Sequence, residues 1–251
     1  MTYSKRVADL RAILKDGGRT IGSWMQIADD SVAEIMGSAG FDWIALDLEH
    51  GRIGEEKYSG LFRAIEAGGA LPFARVGQVS AYAIKAALDG GCQGVIVPMI
   101  ETPDALREAI GWAHYPPRGT RGVGYSRANL FGKKFDEYWS HINPLVIAQI
   151  EHVRAVEAID DILSVPGLDA IMIGPYDLSA SMELAGQFDH PKFQMALTKF
   201  CRLRAGPEWR PDCMSLNPSL PGWTMQSMRG IDLSPMVLMQ FSSGIPLECP
   251  N

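Results

Sequence analysis

Apolar runs of strand length alternate with helix-like segments along this chain, and that alternation restricts its fold more than any other feature. Strand candidates lie at Ile21–Ile27, Trp43–Glu49, Pro72–Val76, Gly94–Ile100, Leu145–Glu151 and Leu168–Pro175. Helix candidates lie before and between them, at Val7–Leu14, Ser31–Ser38, Gly54–Ala67, Ala81–Leu88, Pro103–Trp112 and Val153–Leu163. Most of the strands are continuous apolar runs, as in a parallel sheet covered on both faces. Ser31 and Thr102-Pro103 read as helix starts, and Gly40, Gly91 and Gly167 stand where helices should end. Each strand–helix–strand unit returns the chain in the same direction, so the C-terminal ends of all strands share one edge. Six units are used by residue 175; two more would close a (β/α)8 TIM barrel, for which 251 residues is an ordinary length.

Acids mark that edge. Leu145–Glu151 and the run from Leu168 into Gly174-Pro175-Tyr176-Asp177 are neighbouring strands, each followed by a carboxylate. Two converging acids with few cations beside them in sequence point to a hard divalent metal. Asp177 has a second reading, as a cap for the helix that follows, whereas Glu151 is a poor capping residue. The second strand ends Asp47-Leu48-Glu49-His50. Asp47 and Glu49 share a strand face, and His50 at the strand end suits a general base with an acid fixing its tautomer; local hydrogen bonding is its other reading. Arg75 closes the third strand and suits a carboxylate or a developing enolate oxygen, or an ion pair with Asp47. Trp24 lines a pocket or the core. Gly174-Pro175 leaves a bare backbone approach that suits a small carboxylate. Asp89, at a helix end, reads as surface.

Composition narrows the function classes. A net charge of -6 without basic clusters points away from nucleic acid. No run of 18 apolar residues supplies a membrane span, and the first residues lack a signal-peptide core. Four cysteines without CxxC spacing read as reduced thiols, so a cytoplasmic location is expected.

Taken in order, Gly40–Gly51, Ala74–Val76, Leu88–Gly91, Tyr115–Gly122, Gln149–Glu151 and Gly174–Ser179 resemble the HpcH/HpaI family of class II pyruvate-dependent aldolases. The resemblance covers residues 20 to about 200. It implies a (β/α)8 barrel using Mg²⁺, Mn²⁺ or Co²⁺, with Glu151 and Asp177 as the protein's metal ligands. It implies further that Arg75 holds the ketone or enolate oxygen and that His50, oriented by Asp47, handles the proton of the substrate's 4-hydroxyl. Asp89 would enter a neighbouring subunit's site, and Trp24, Gln149, Gly174 and Tyr176 match pocket positions. The implied reaction cleaves a 4-hydroxy-2-oxo acid to pyruvate and an aldehyde through a metal-stabilised enolate. Oxaloacetate decarboxylation, or another C–C bond-forming reaction of the same enolate, is the alternative. The absence of a lysine at any strand end speaks against a Schiff base. The implied partners are a small 2-oxo acid, an aldehyde and further copies of the chain, in a homo-oligomer that is a hexamer in the family.

Residues 1–201 read as the barrel that carries the site, and 202–251 as a divergent tail. The tail holds seven prolines and two tryptophans, and only Met236–Phe241 passes for a strand. The family's last strands and its exchanged terminal helix have no counterpart there. Read from the neighbouring frame, one back-translation of 230–241 resembles the family's eighth strand, which motivates a frame shift in the tail. On that reading the chain is a barrel remnant with a damaged wall, and a non-catalytic role is the competing function.

Overall fold

The computed structural model describes residues 3–15, 20–205 and 236–237. An opening helix α1 (Tyr3–Lys15) leads into β1 (Ile21–Met25), α2 (Asp30–Ser38), β2 (Trp43–Asp47), α3 (Glu55–Gly68), β3 (Leu71–Arg75), α4 (Ala81–Gly90), β4 (Gly94–Val97) and α5 (Pro103–Ala113). A long connection carrying a 3-10 turn at Arg127–Asn129 and the short helix α6 (Phe135–His141) follows. The chain continues through β5 (Leu145–Ile150), α7 (Val153–Glu157), α8 (Ile159–Leu163), β6 (Ala170–Ile173), α9 (Pro175–Ser181) and α10 (Pro191–Ala205). β7 (Met236–Val237) pairs antiparallel with β1.

Strands β1 to β6 are parallel and lie in sequence order. They curl into an open half-barrel: among the described residues β6 pairs only with β5, so the wall is not closed. The period-2 geometry of strands sorts their side chains. Ile44 and Leu46, Ala74, Val95 and Val97, Val146 and Ala148, and Ile171 face outward into one buried cluster with the flanking helices. Trp43 and Ala45, Leu71 and Phe73, Ile96, Leu145 and Ile147, and Ala170 and Met172 face inward into a second cluster. Both faces are therefore apolar, which is why the strands read as continuous runs.

Helix α1 joins the inner cluster through Val7, Leu10 and Leu14. Arg11 fastens it to the N-terminal edge of the sheet: its guanidinium donates to Asp169 Oδ1 at 2.5 Å and to the carbonyls of Asn143 and Pro144 at 3.1 and 3.2 Å. The inner face is thus plugged at one end, and its polar residues collect at the other.

Local details depart from the sequence reading in three places. Helix α2 starts one residue early because Asp29, not Ser31, is its cap, accepting from the backbone N–H of Ser31 and Val32. The segment 153–163 is two helices, broken at Ala158. The ends of β1, β2, β4, β5 and β6 fall short of the sequence candidates, since the last residues of each run leave the sheet at the edge that carries the site. Thr102 caps α5 as expected, and Gly40, Gly91 and Gly167 take left-handed backbone at φ 90, 106 and 97. Apart from the pair Met236–Val237 and the end of α10, the divergent tail and its frame-shift reading lie outside the described residues.

Candidate active site

The C-terminal edge of the half-barrel gathers Trp24 from β1, Asp47, Glu49 and His50 from β2 and its turn, Arg75 from β3, Met99 after β4, Gln149 and Glu151 at the end of β5, and Gly174 and Asp177 after β6. Parallel register brings them there; Asp47 stands directly opposite Arg75 across β2 and β3.

Asp47 is fully buried and saturated. Its Oδ1 accepts from Arg75 Nε at 3.0 Å and from the backbone N–H of Glu49 and His50 at 3.2 and 3.1 Å. Its Oδ2 accepts from Arg75 Nη2 and Gln26 Nε2, both at 2.7 Å. Burial alone would disfavour its charge, but the bonds from Arg75 and Gln26 and the guanidinium charge outweigh it and hold the carboxyl below its ordinary range. Asp47 therefore fixes Arg75 and the turn backbone. Its contact with His50 in this structure is through the main chain. Arg75 is also stacked on Trp24, with its guanidinium carbon 4.4 Å from the ring centroid, and lies 3.3 Å from Glu49 Oε2. The Trp24 ring packs on the inner cluster and supports the arginine.

Glu151 is only 3% exposed. Its Oε1 accepts from Met99 N–H at 2.7 Å and its Oε2 from Gln149 Nε2 at 2.6 Å. Met99 makes its bond from left-handed backbone, φ 50, a strained arrangement for a non-glycine residue. A Cβ on Gly174 would come within 2.7 Å of Glu151 Oε2, so a side chain there would displace that carboxylate. Burial, joined by the negative charges of Glu49 and Asp177, raises the Glu151 carboxyl above its ordinary value. Burial likewise raises Glu49, whose neighbours include Arg75, His50, Asp47 and Asp177. Asp177 sits in the first turn of α9 behind Gly174, which holds the cap position, so it is not a helix cap.

The donor chemistry fits a divalent ion. Asp47, Glu66, Asp89 and Asp169 each have an arginine partner, yet among the described residues no ion pair reaches Glu151 or Asp177. Asp177 is exposed, but Glu151 is a buried carboxylate without a counter-charge, which is costly, and a hard cation is a group that relieves it. The buried Oε1 of Gln149, without a hydrogen-bond partner, faces the same region. No group of three or more metal-binding side chains occurs among the described residues, so any such ion would rest on two protein carboxylates.

Two sequence candidates are placed differently. Asp89 ends α4, which runs back from the C-terminal edge, so it lies at the opposite end of the sheet from Glu151. There it bonds Arg121 Nη2 at 2.6 Å and Lys85 at 2.7 Å, neither free on the surface nor part of this chain's site. Tyr176 is exposed, its ring set edge-on against Phe188. The sequence reading passed over Gln26, a polar residue just past a strand and thus detectable, and Met99, whose part rests on backbone geometry that its side chain does not signal.

A parallel α/β half-barrel with acids, an arginine and a histidine at its C-terminal edge defines a TIM-barrel-like enzyme scaffold. The model of the HpcH/HpaI aldolase/citrate lyase family matches residues 20–206, and the chain belongs to that family. It is 38% identical over 190 residues to the hydroxypyruvate/pyruvate aldolase of Roseobacter denitrificans, covering 74% of each chain. It is 30% identical over 246 residues to the 2-keto-3-deoxy-L-rhamnonate aldolase of Escherichia coli, covering 92% of each. A crystal structure of an HpcH/HpaI aldolase/citrate lyase family protein from Burkholderia cenocepacia superimposes with a TM-score of 0.73 at 34% identity, over 77% of this chain and 79% of that one. No helix among the described residues is long and apolar enough to cross a membrane.

Proposed function

We propose that the protein is a divalent-metal-dependent aldolase that cleaves a 4-hydroxy-2-oxo acid to pyruvate and an aldehyde, and joins them in reverse. The observation that carries this is the meeting of the unpaired carboxylates Glu151 and Asp177 with Arg75 on one strand edge. Family membership and the aldolase names of the relatives support it.

Glu151 and Asp177 would hold Mg²⁺, Mn²⁺ or Co²⁺, which when bound supplies Lewis-acid polarisation of the substrate's 2-oxo group. Arg75, locked by Asp47 and Trp24, meets the negative charge that develops on the C2 oxygen. His50 removes the proton of the 4-hydroxyl. The O–H electron pair becomes the aldehyde C=O, the C3–C4 bond breaks, and its electrons pass into the C2–C3 enol system, which is protonated at C3 to give pyruvate. The bare backbone at Gly174-Pro175 would receive the small carboxylate of the 2-oxo acid.

Pyruvate release from 4-hydroxy-2-oxoheptanedioate and from oxaloacetate, with Mn²⁺ and then excess chelator, tests the reading. Metal-dependent release from the first supports the aldolase; release from oxaloacetate alone favours the decarboxylase. No release from folded protein overturns the proposal and leaves the non-catalytic remnant.

A further inference from the structure

We infer that Gln26 is a positioning residue for Arg75, acting through Asp47; this rests on the aldolase reading of the same site. Lateral register sets the arrangement. Met25 pairs with Leu46 across β1 and β2, so the next residue, Gln26, falls beside Asp47, and Asp47 pairs with Arg75 across β2 and β3. An amide, a carboxylate and a guanidinium therefore form one row across three strand ends. Asp47 Oδ2 accepts from Gln26 Nε2 and from Arg75 Nη2, both at 2.7 Å. An ionised carboxylate only accepts hydrogen bonds, so the amide must present its nitrogen to Asp47 and not its oxygen.

A second acid competes for the arginine. Glu49 Oε2 is buried without a hydrogen-bond partner and lies 3.3 Å from Arg75 Nε. A buried acceptor left unmade is costly, so Glu49 has a standing pull on the guanidinium. Arg75 Nε nevertheless donates to Asp47 Oδ1, at 3.0 Å. Asp47 holds it because both of its oxygens are anchored, Oδ1 by the backbone N–H of Glu49 and His50, and Oδ2 by Gln26. Among the described residues, Gln26 is the one side chain besides Arg75 that donates to Asp47. Without it Oδ2 rests on Arg75 alone, and the guanidinium is free to turn to Glu49. Trp24, two residues before Gln26, stacks on the same guanidinium, so the end of β1 steadies Arg75 both directly and through Asp47. Gln26 itself is exposed, and its amide adds little to the packed core.

The test uses the whole protein with Gln26→Met, which keeps the length of the side chain and removes the amide. With Mg²⁺ bound, kcat for exchange of the pyruvate methyl protons with D₂O is expected to fall about ten-fold or more while KM for pyruvate stays within about two-fold. That split follows because Arg75 meets charge that develops as the enolate forms, and a displaced donor weakens the transition state more than the bound substrate. Gln26→Glu sets a second acceptor against Asp47 and is expected to lose at least as much. Exchange at the parent rate, a rise in KM alone, or a loss that tracks a fall in denaturant stability overturns the inference. A crystal structure of metal-free Gln26→Met gives a check that needs no activity. Arg75 turned from Asp47 toward Glu49 supports the inference, and Arg75 still bonded to both oxygens of Asp47 contradicts it. Absence of exchange by the parent would count against the aldolase reading and leave that crystal structure to judge Gln26.

Discussion

The two ends of the half-barrel are built to opposite specifications. At the N-terminal edge, α1 inserts Val7, Leu10 and Leu14 into the inner core, and Arg11 spans Asp169 and two carbonyls. Asp169 in turn accepts from the Val146 backbone at 2.9 Å. At the C-terminal edge, half-buried Glu49 and buried Glu151 are acids with raised pKa values, Met99 holds strained backbone, and side-chain oxygens of Glu49 and Gln149 lack hydrogen-bond partners. The same strands serve both ends, so the difference lies in what each end is for: one stabilises the sheet, while the other keeps polar groups poised for a ligand.

The largest effect should follow from removing a charge at the poised end. Glu151→Gln or Asp177→Asn is expected to lower metal-dependent pyruvate release by roughly three orders of magnitude, while denaturant unfolding of metal-free Glu151→Gln shows no loss of stability. A large stability loss instead would mean that this end is structural too. The opposite result is expected at the plugged end. Leu10→Ala should cost about 2–5 kcal/mol in denaturant unfolding and leave the turnover of the folded protein within about two-fold. A selective loss of turnover would break the comparison.

Gly174→Ala sharpens it further. The added methyl displaces Glu151 Oε2, and calorimetric Mn²⁺ affinity should fall about 10- to 100-fold. Smaller still is the effect of pH on the metal-free protein. Burial raises Glu49 and Glu151 above their ordinary value of 4.5, so the native state binds protons that the unfolded chain has released. Their contribution to stability is therefore lost as pH rises from that value through the raised native pKa values. Asp47, held low, contributes with the opposite sign, and its stabilisation is lost as pH falls below the ordinary aspartate range. Thermal unfolding across pH should show the decline on the alkaline side, reduced in Glu151→Gln and offset by added Mg²⁺. The smallest effect concerns Glu183, which takes φ 61. Glu183→Gly should stabilise by up to about 1 kcal/mol in denaturant unfolding, because glycine enters that region without a Cβ penalty.

The apolar runs carried the strands because both sheet faces are buried, so Trp43–Asp47 and Leu145–Ile150 could be read within a residue or two. The same signal overran the ends. Met99 and Ile100 continue the apolar pattern of β4, yet the chain turns there to aim an N–H at Glu151. Acids after strands disclosed the site, since parallel topology alone decides that they converge. The Asp47–Arg75 pair, one of the two sequence readings of Arg75, follows from the lateral register of β2 and β3. Asp89 could not be placed because its arginine partner lies 32 residues further on, in a loop without periodicity.

The most direct test of the account is exchange of the pyruvate methyl protons with D₂O, followed by NMR with Mg²⁺ and with chelator. The account predicts exchange that needs the metal and disappears in Glu151→Gln. Exchange indifferent to chelator, or none from folded, metal-loaded protein, would contradict it.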